Sequence, residues 1–146
     1  MTTKIPIIIL NIENEGFHLL INVKINNKKA SLIVDTGASS TVLDKEKIKK
    51  FADKKKFIDN DKLSTGLGTS SMKSKKTILE KIIFGTLEVK KYPTLLLDLS
   101  HVNKSYKSIG LKPIDGILGS DLLLKYNAII DYKKKILILT KSSSKK

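Results

Sequence analysis

The segment Leu32-Ile33-Val34-Asp35-Thr36-Gly37-Ala38-Ser39-Ser40-Thr41-Val42-Leu43 holds the residues best suited to chemistry. Its carboxylate ends an apolar, strand-forming run. Burial without a counter-charge disfavours the ionised form and raises the carboxyl's pKa. Thr36 offers a hydroxyl that can anchor the turn. Gly37 permits positive φ and the close approach of another backbone. A turn in which Asp35 caps only its own backbone is the plainer reading. The apolar strand before it and Val42-Leu43 after it favour a functional carboxyl, because a buried one is costly to keep.

Other chemistries lack their residues. Cysteine is absent, which excludes a disulfide framework, a thiol nucleophile and cysteine-ligated zinc or iron–sulfur sites. No G-x-S-x-G elbow occurs. His18 falls on a strand face and His101 beside a loop, too far apart in sequence to suggest a triad or a metal centre. Ser39, Ser40, Ser70 and Ser71 read as turn residues. Gly66-Leu67-Gly68-Thr69-Ser70-Ser71 has the look of a dinucleotide loop. However, Leu63-Ser64-Thr65 makes a poor buried strand and Lys73 to Lys76 a poor helix, so neither cofactor nor metal is expected.

The elements that must hold Asp35 read as strands. Phe17 to Ile25 alternates, with Leu19, Ile21, Val23 and Ile25 on one face. Asn26-Asn27 signals a tight turn, and Ala30 to Val34 returns into the Asp35 motif. Residues 45–56 carry seven Lys against Glu46 and Asp53 and suit an exposed helix or loop. Residues 60–76 suit a loop or hairpin tip. Thr77 to Phe84 and Thr86 to Leu99 are β-rich runs hinged at Gly85. Ile117-Leu118 ends at Gly119, after which Ser120 or Asp121 can cap a short helix to about Tyr126. Ala128 to Asp131 and Lys135 to Leu139 suggest a closing hairpin. Many short strands with little helix imply a mainly β barrel or sandwich. Residues 1–140 read as a single domain and 141–146 as a polar tail. Lys4 to Leu10 and Lys135 to Thr140 are candidate edge strands for pairing between subunits.

Of 146 residues, 28 are basic against 14 acidic, a net charge of +14. All 28 are Lys. Lys is a hydrated point charge without the planar fork of Arg. There is no Trp, and only four Tyr and four Phe supply aromatic rings. This composition describes a solvated surface and argues against nucleic acid as the partner. No apolar run reaches the ~20 residues of a membrane span. Ile5 to Leu10, preceded only by Lys4, is too short for a leader core, which favours a cytoplasmic location.

Taken together, the motifs resemble the retropepsin-like aspartic proteases, of the cellular and bacterial kind, over most of the chain. The resemblance rests on Asp35-Thr36-Gly37-Ala38 and on Ile117-Leu118-Gly119 followed by Ser120-Asp121-Leu122-Leu123. It rests further on the flap-like Thr65-Gly66-Leu67-Gly68-Thr69 between them and on Asn127-Ala128-Ile129-Ile130-Asp131-Tyr132 after them. It implies a mainly β, closed acid-protease barrel with one short C-terminal helix, and an aspartic endopeptidase acting on peptide or protein substrates without a cofactor. Asp35 is then the catalytic residue, with Thr36, Gly37 and Ala38 supporting its loop. Gly66, Leu67 and Gly68 would form a flap over the substrate, and Ile117 and Leu118 would line or buttress the site. The reaction needs two carboxyls, and the chain has one Asp-Thr-Gly. A homodimer sharing two Asp35 side chains follows; an Asp35–Asp115 dyad is the rival within one chain. A catalytically silent dimerisation or peptide-binding module on the same fold is the alternative function. Two departures stand out. Ser39 and Ser120 replace an Asp and Arg pair of viral relatives, and Ala38 replaces a Ser whose hydroxyl stabilises the ionised pair, which implies a less acidic optimum.

Overall fold

Alternating apolar residues build the first hairpin. In β3 (Phe17–Ile25) Leu19, Ile21, Val23 and Ile25 are buried. Asn26 and Asn27 both take positive φ, 48° and 70°, the geometry of a tight hairpin turn that asparagine tolerates. β4 (Lys28–Val34) then returns antiparallel from Ile25↔Lys28 to Leu20↔Ile33. The computed structural model describes residues 1–51, 58–59 and 75–142.

The remaining strands close a ring on this hairpin. β9 (Gly116–Leu118) runs parallel to β4 and antiparallel to β5 (Val42–Asp44), and so lies between the two strands that flank the Asp35 turn. β5 pairs with β8 (Leu87–Leu97), and β8 with β7 (Lys75–Phe84). β7 reaches β3 again at Lys24↔Ile83. The result is a closed barrel of six strands, with β2 (Ile8–Asn11) and the two-residue β6 (Ile58–Asp59) at its margins. Ile21, Leu32, Leu43, Phe84, Leu96 and Leu118 fill its interior.

Close packing at the β9 crossing leaves no room for a side chain at Gly116. A Cβ there would lie 2.3 Å from the Val42 carbonyl oxygen and 2.7 Å from Leu43 Cδ2. Asp115, just before it, is buried and fully engaged. Its carboxylate accepts from Ser31 N at 2.8 Å and from Lys50 Nζ at 3.0 Å.

A second sheet has the order β1-β11-β10, formed by β1 (Thr2–Pro6), β11 (Ile136–Thr140) and β10 (Ile129–Asp131). It revises the expected edge strands. Residues 4–10 divide at Ile7, whose N–H donates to Lys135 O at 2.9 Å. The first part pairs with β11 of the same chain, Lys4 opposite Ile138. The second part joins β3. Apolar Ile5, Leu137 and Leu139 are buried by this arrangement, which satisfies both segments within one chain.

Helix is more abundant than the single C-terminal helix expected. That helix is present as α2 (Ser120–Lys125), but α1 (Ser100–Ser108) precedes it. α1 was not legible because Val102 and Tyr106 are its only apolar residues and its N-cap position is Leu99, which has no capping side chain. Residues 45–51 also depart from a purely exposed segment. A 3-10 turn at Ile48–Lys50 drives Ile48 and Phe51 into the core while its lysines stay outside. The proposed flap residues Gly66, Leu67 and Gly68 lie outside the described residues, as does the end of the tail. No helix among the described residues is long and apolar enough to cross a membrane.

Candidate active site

Asp35 stands one residue beyond β4, where the ladder with β9 continues through its backbone. Its N–H donates to Leu118 O at 3.0 Å. The turn that follows is stapled by the side chain and main chain of the same residue. Gly37 N–H donates to Asp35 Oδ1 at 2.9 Å, and Ala38 N–H to Asp35 O at 3.1 Å. Gly37 does not use the left-handed backbone expected of it; its φ is not among the positive ones. What its lack of a side chain provides is clearance, since a Cβ there would lie 3.4 Å from Asp35 Oδ1. Asp35, Thr36 and Gly37 are all exposed in the single chain, so the burial expected of this carboxyl is not supplied by its own fold.

The Asp35 loop is locked to the start of α2. Ser120 N–H donates to Ala38 O at 2.7 Å. Gly119 fits against Ser40 so tightly that a Cβ would lie 2.6 Å from its carbonyl carbon and oxygen. Gly119 N–H donates to Thr41 Oγ1 at 3.0 Å, and that hydroxyl donates to Asp121 Oδ1 at 2.7 Å. Tyr92 OH donates to the other oxygen, Oδ2, at 2.7 Å. Burial pushes the Asp121 carboxyl up, but the hydrogen bonds from Tyr92 and Thr41 outweigh it and hold it below its ordinary value. Burial, with Asp121 as neighbour, pushes the Tyr92 hydroxyl far above its usual range. Thr41, Tyr92 and Asp121 were not expected at the site. Asp121 was visible only as a helix-capping residue, and Tyr92 gave no signal because the contact joins strand to helix across the fold.

A cleft of about 350 Å³ opens beside the carboxyl. Asp35 and Thr36 form one part of its wall, and Ile33, Ile114 and Ile117 form an apolar part. Phe17 and Tyr132 also border it and are 64% and 67% exposed. His18 lines it too, with Nδ1 2.6 Å from Tyr106 OH; Tyr106 arrives on the unanticipated α1. His101 lies on the exposed side of α1, not in a loop. Among the described residues that line the cleft, Asp35 is the sole acid. Asp115 does not reach it, which removes the rival intrachain dyad. Ile117 lines the cleft. Leu118 is turned by the strand alternation into the core, fully buried, and its carbonyl holds the Asp35 N–H from behind.

The comparisons bear on this geometry. An aspartyl protease family model matches residues 21–122. No curated protein sequence matches the chain. Among solved structures, a retropepsin-like aspartic protease from Rickettsia conorii superposes with a TM-score of 0.54 at 26% identity, covering 97% of this chain and 93% of that one. The retroviral protease-like domain of Ddi1 from Leishmania major superposes with a TM-score of 0.53 at 14% identity, covering 84% of this chain and 87% of that one. The second likeness concerns the fold alone.

Proposed function

Because the chain belongs to the aspartyl protease family, with the mainly β retropepsin-like fold, we propose that it is an aspartic endopeptidase working as a homodimer. Two Asp35 carboxyls, one from each protomer, hold and activate a single water. The observation that carries this reading is the solitary Asp35: exposed, fixed by Leu118 and Gly37, and without a second acid among the described residues lining its cleft.

Two carboxyls within hydrogen-bond reach cannot both ionise freely, so one proton is shared and their titrations are coupled, aspartic proteases being the familiar instance. The ionised carboxyl takes a proton from the water as its oxygen attacks the peptide carbonyl carbon. The protonated one donates to the carbonyl oxygen. When the C–N bond breaks, the leaving nitrogen takes the proton held by the pair, while one hydroxyl of the tetrahedral diol gives its proton to the other carboxyl as its C–O becomes a carbonyl, so the pair again holds one proton. Thr36 braces the two loops across the axis. Gly37 leaves room for substrate backbone, and Ala38 ties the loop to α2. Ile117 contacts substrate side chains through the cleft wall. On sequence grounds we assign Gly66, Leu67 and Gly68 to a flap that covers the substrate, residues 1–140 to one catalytic unit, and the protein to the cytoplasm.

The test is turnover of a mixed peptide library between pH 4 and 8 by the chain and by Asp35→Asn. Cleavage by the former and none by the equally folded variant supports the reading. No cleavage by either, with both chains folded and dimeric, supports a silent binding module instead.

A further inference from the structure

The cleft wall holds a polar pair that the proposed chemistry does not use. His18 and Tyr106 both line the cleft, and His18 Nδ1 lies 2.6 Å from Tyr106 OH. We propose that His18 is a specificity-determining residue, whose Nε2–H selects peptides carrying an amide side chain, Gln or Asn, beside the scissile bond. The inference rests on the endopeptidase reading above and names the class of peptide it takes.

Hydrogen bonding fixes which ring nitrogen carries the proton. Tyr106 is buried, and burial pushes its hydroxyl up, so it keeps its proton. Among the described residues, His18 Nδ1 is that hydroxyl's only hydrogen-bond partner. The hydroxyl therefore donates, Nδ1 accepts, and in the neutral imidazole the proton sits on Nε2. No described residue pairs with that second nitrogen. The two rings also pack together, their centroids 5.8 Å apart, which holds the imidazole in place. His18 is close to the reacting carboxyl as well. Pairing of β3 with β4 ends at Leu20↔Ile33. His18 and Asp35 each lie two residues past that point, where the strands part and both residues line the opening.

The rest of the wall chooses the ligand. Ile33, Val102, Ile114 and Ile117 offer apolar contact to the stem of a side chain. The chain has 28 Lys, yet none is among the described residues lining the cleft. A substrate carboxylate would therefore be desolvated without a fixed counter-charge, and would face the negative charge of the Asp35 pair. A substrate ammonium would find no acid but Asp35, which is committed to the water. A purely apolar side chain would strip water from Nε2–H and put nothing in its place, leaving a buried donor unpaired. An amide oxygen is a neutral acceptor, and it meets the donor without any of these penalties.

With only two histidines in the chain, nuclear magnetic resonance can follow His18 directly. At pH 8 its nitrogen shifts, measured through the ring carbon protons, should show Nδ1 bare and Nε2 protonated. Tyr106→Phe should lose this fixed pattern and approach that of the exposed His101. A capped tripeptide with central Gln, added to the Asp35→Asn chain, should move the Nε2 signal, and its Met counterpart should not. In turnover, peptide libraries with one position fixed as Gln should be cut beside it with kcat/KM roughly tenfold or more above those fixed as Met, Leu or Glu. His18→Phe keeps a flat ring without the donor and should erase that ratio. His18→Gln restores a donor and should recover part of it. A purely structural role would lower turnover of all libraries together and leave the ratio intact. A protonated Nδ1, a Gln tripeptide that leaves Nε2 unmoved, or a ratio unchanged in His18→Phe overturns the inference while cleavage itself stands. A folded dimer that cuts no library, although the Gln tripeptide still moves Nε2, removes the endopeptidase reading and leaves the amide site in place.

Discussion

Thr41 and Gly119 are hydrogen-bonded at 3.0 Å although 78 residues separate them. The Thr41 hydroxyl accepts from the Gly119 N–H and passes its own proton toward Asp121. The loop bearing Asp35 and the helix that follows β9 therefore share one buried polar chain, and the carboxyl's position depends on both.

Replacing Thr41 by Val keeps the volume and removes the link. The Gly119 N–H is left unpaired and Asp121 loses one donor, at a cost of about 1–3 kcal/mol. Differential scanning calorimetry should show a lower Tm. Activity per folded dimer should fall through kcat more than KM, because the Asp35 loop is misplaced while the cleft walls are kept. Thr41→Ser, which restores the hydroxyl, should recover most of both.

Asp121 sets an acid limit on stability. Its folded carboxyl is held below the reference value of 3.8 by Tyr92 and Thr41, against the opposing effect of burial. A depressed folded value means that the unfolded chain binds the proton more readily. The stability it contributes is complete above about pH 4 and is lost as pH falls through the lower, folded value. The Tm difference between the chain and Asp121→Asn should therefore hold steady from pH 7 to 5 and shrink below pH 4. A difference that widens on acidification contradicts this account.

Gly116→Ala should prevent β9 from entering between β4 and β5. The new methyl would sit 2.3 Å from the Val42 carbonyl oxygen, a backbone atom that cannot swing aside, and 3.1 Å from Leu32 Cδ2. Overpacking of this kind costs about 3 kcal/mol or more. Urea denaturation should show a large fall in midpoint, or the variant should not fold.

How much of this was legible in the sequence divides by the range of the interaction. The β3–β4 hairpin was readable because alternation from Leu19 to Ile25 and the Asn26-Asn27 turn are local. Asp35 was readable because a carboxyl after Leu32-Ile33-Val34 is unusual, and Ile117-Leu118-Gly119 because a short apolar run ends at Gly. α1 was not, since only Val102 and Tyr106 are apolar among its nine residues; the clue was Asp98, whose Oδ1 accepts the Ser100 N–H at 2.9 Å at the helix entry. The mutual pairing of β1 and β11 was missed because each reads as an edge strand on its own. Tyr92 and Asp121 meet only after β8 and α2 have packed, so no local pattern announces them.

Under the proposed function, Ala38 should set the acid limb of activity. A hydroxyl at this position, beside the Asp35 loop, adds a donor that favours the ionised carboxyl. The kcat profile of Ala38→Ser should move toward lower pH with little change in KM. A profile that stays in place, or moves toward neutral pH, removes this explanation.

The central claim is that two chains each contribute one Asp35 to a single site. It is tested most directly by subunit mixing. The chain and Asp35→Asn are unfolded together in varied proportion, refolded at constant total concentration, and assayed on a cleaved peptide. If the site is shared, only dimers with two intact carboxyls turn over, and activity should fall as the square of the intact fraction. Activity that falls in direct proportion to that fraction would mean that each chain works alone, and would contradict the claim.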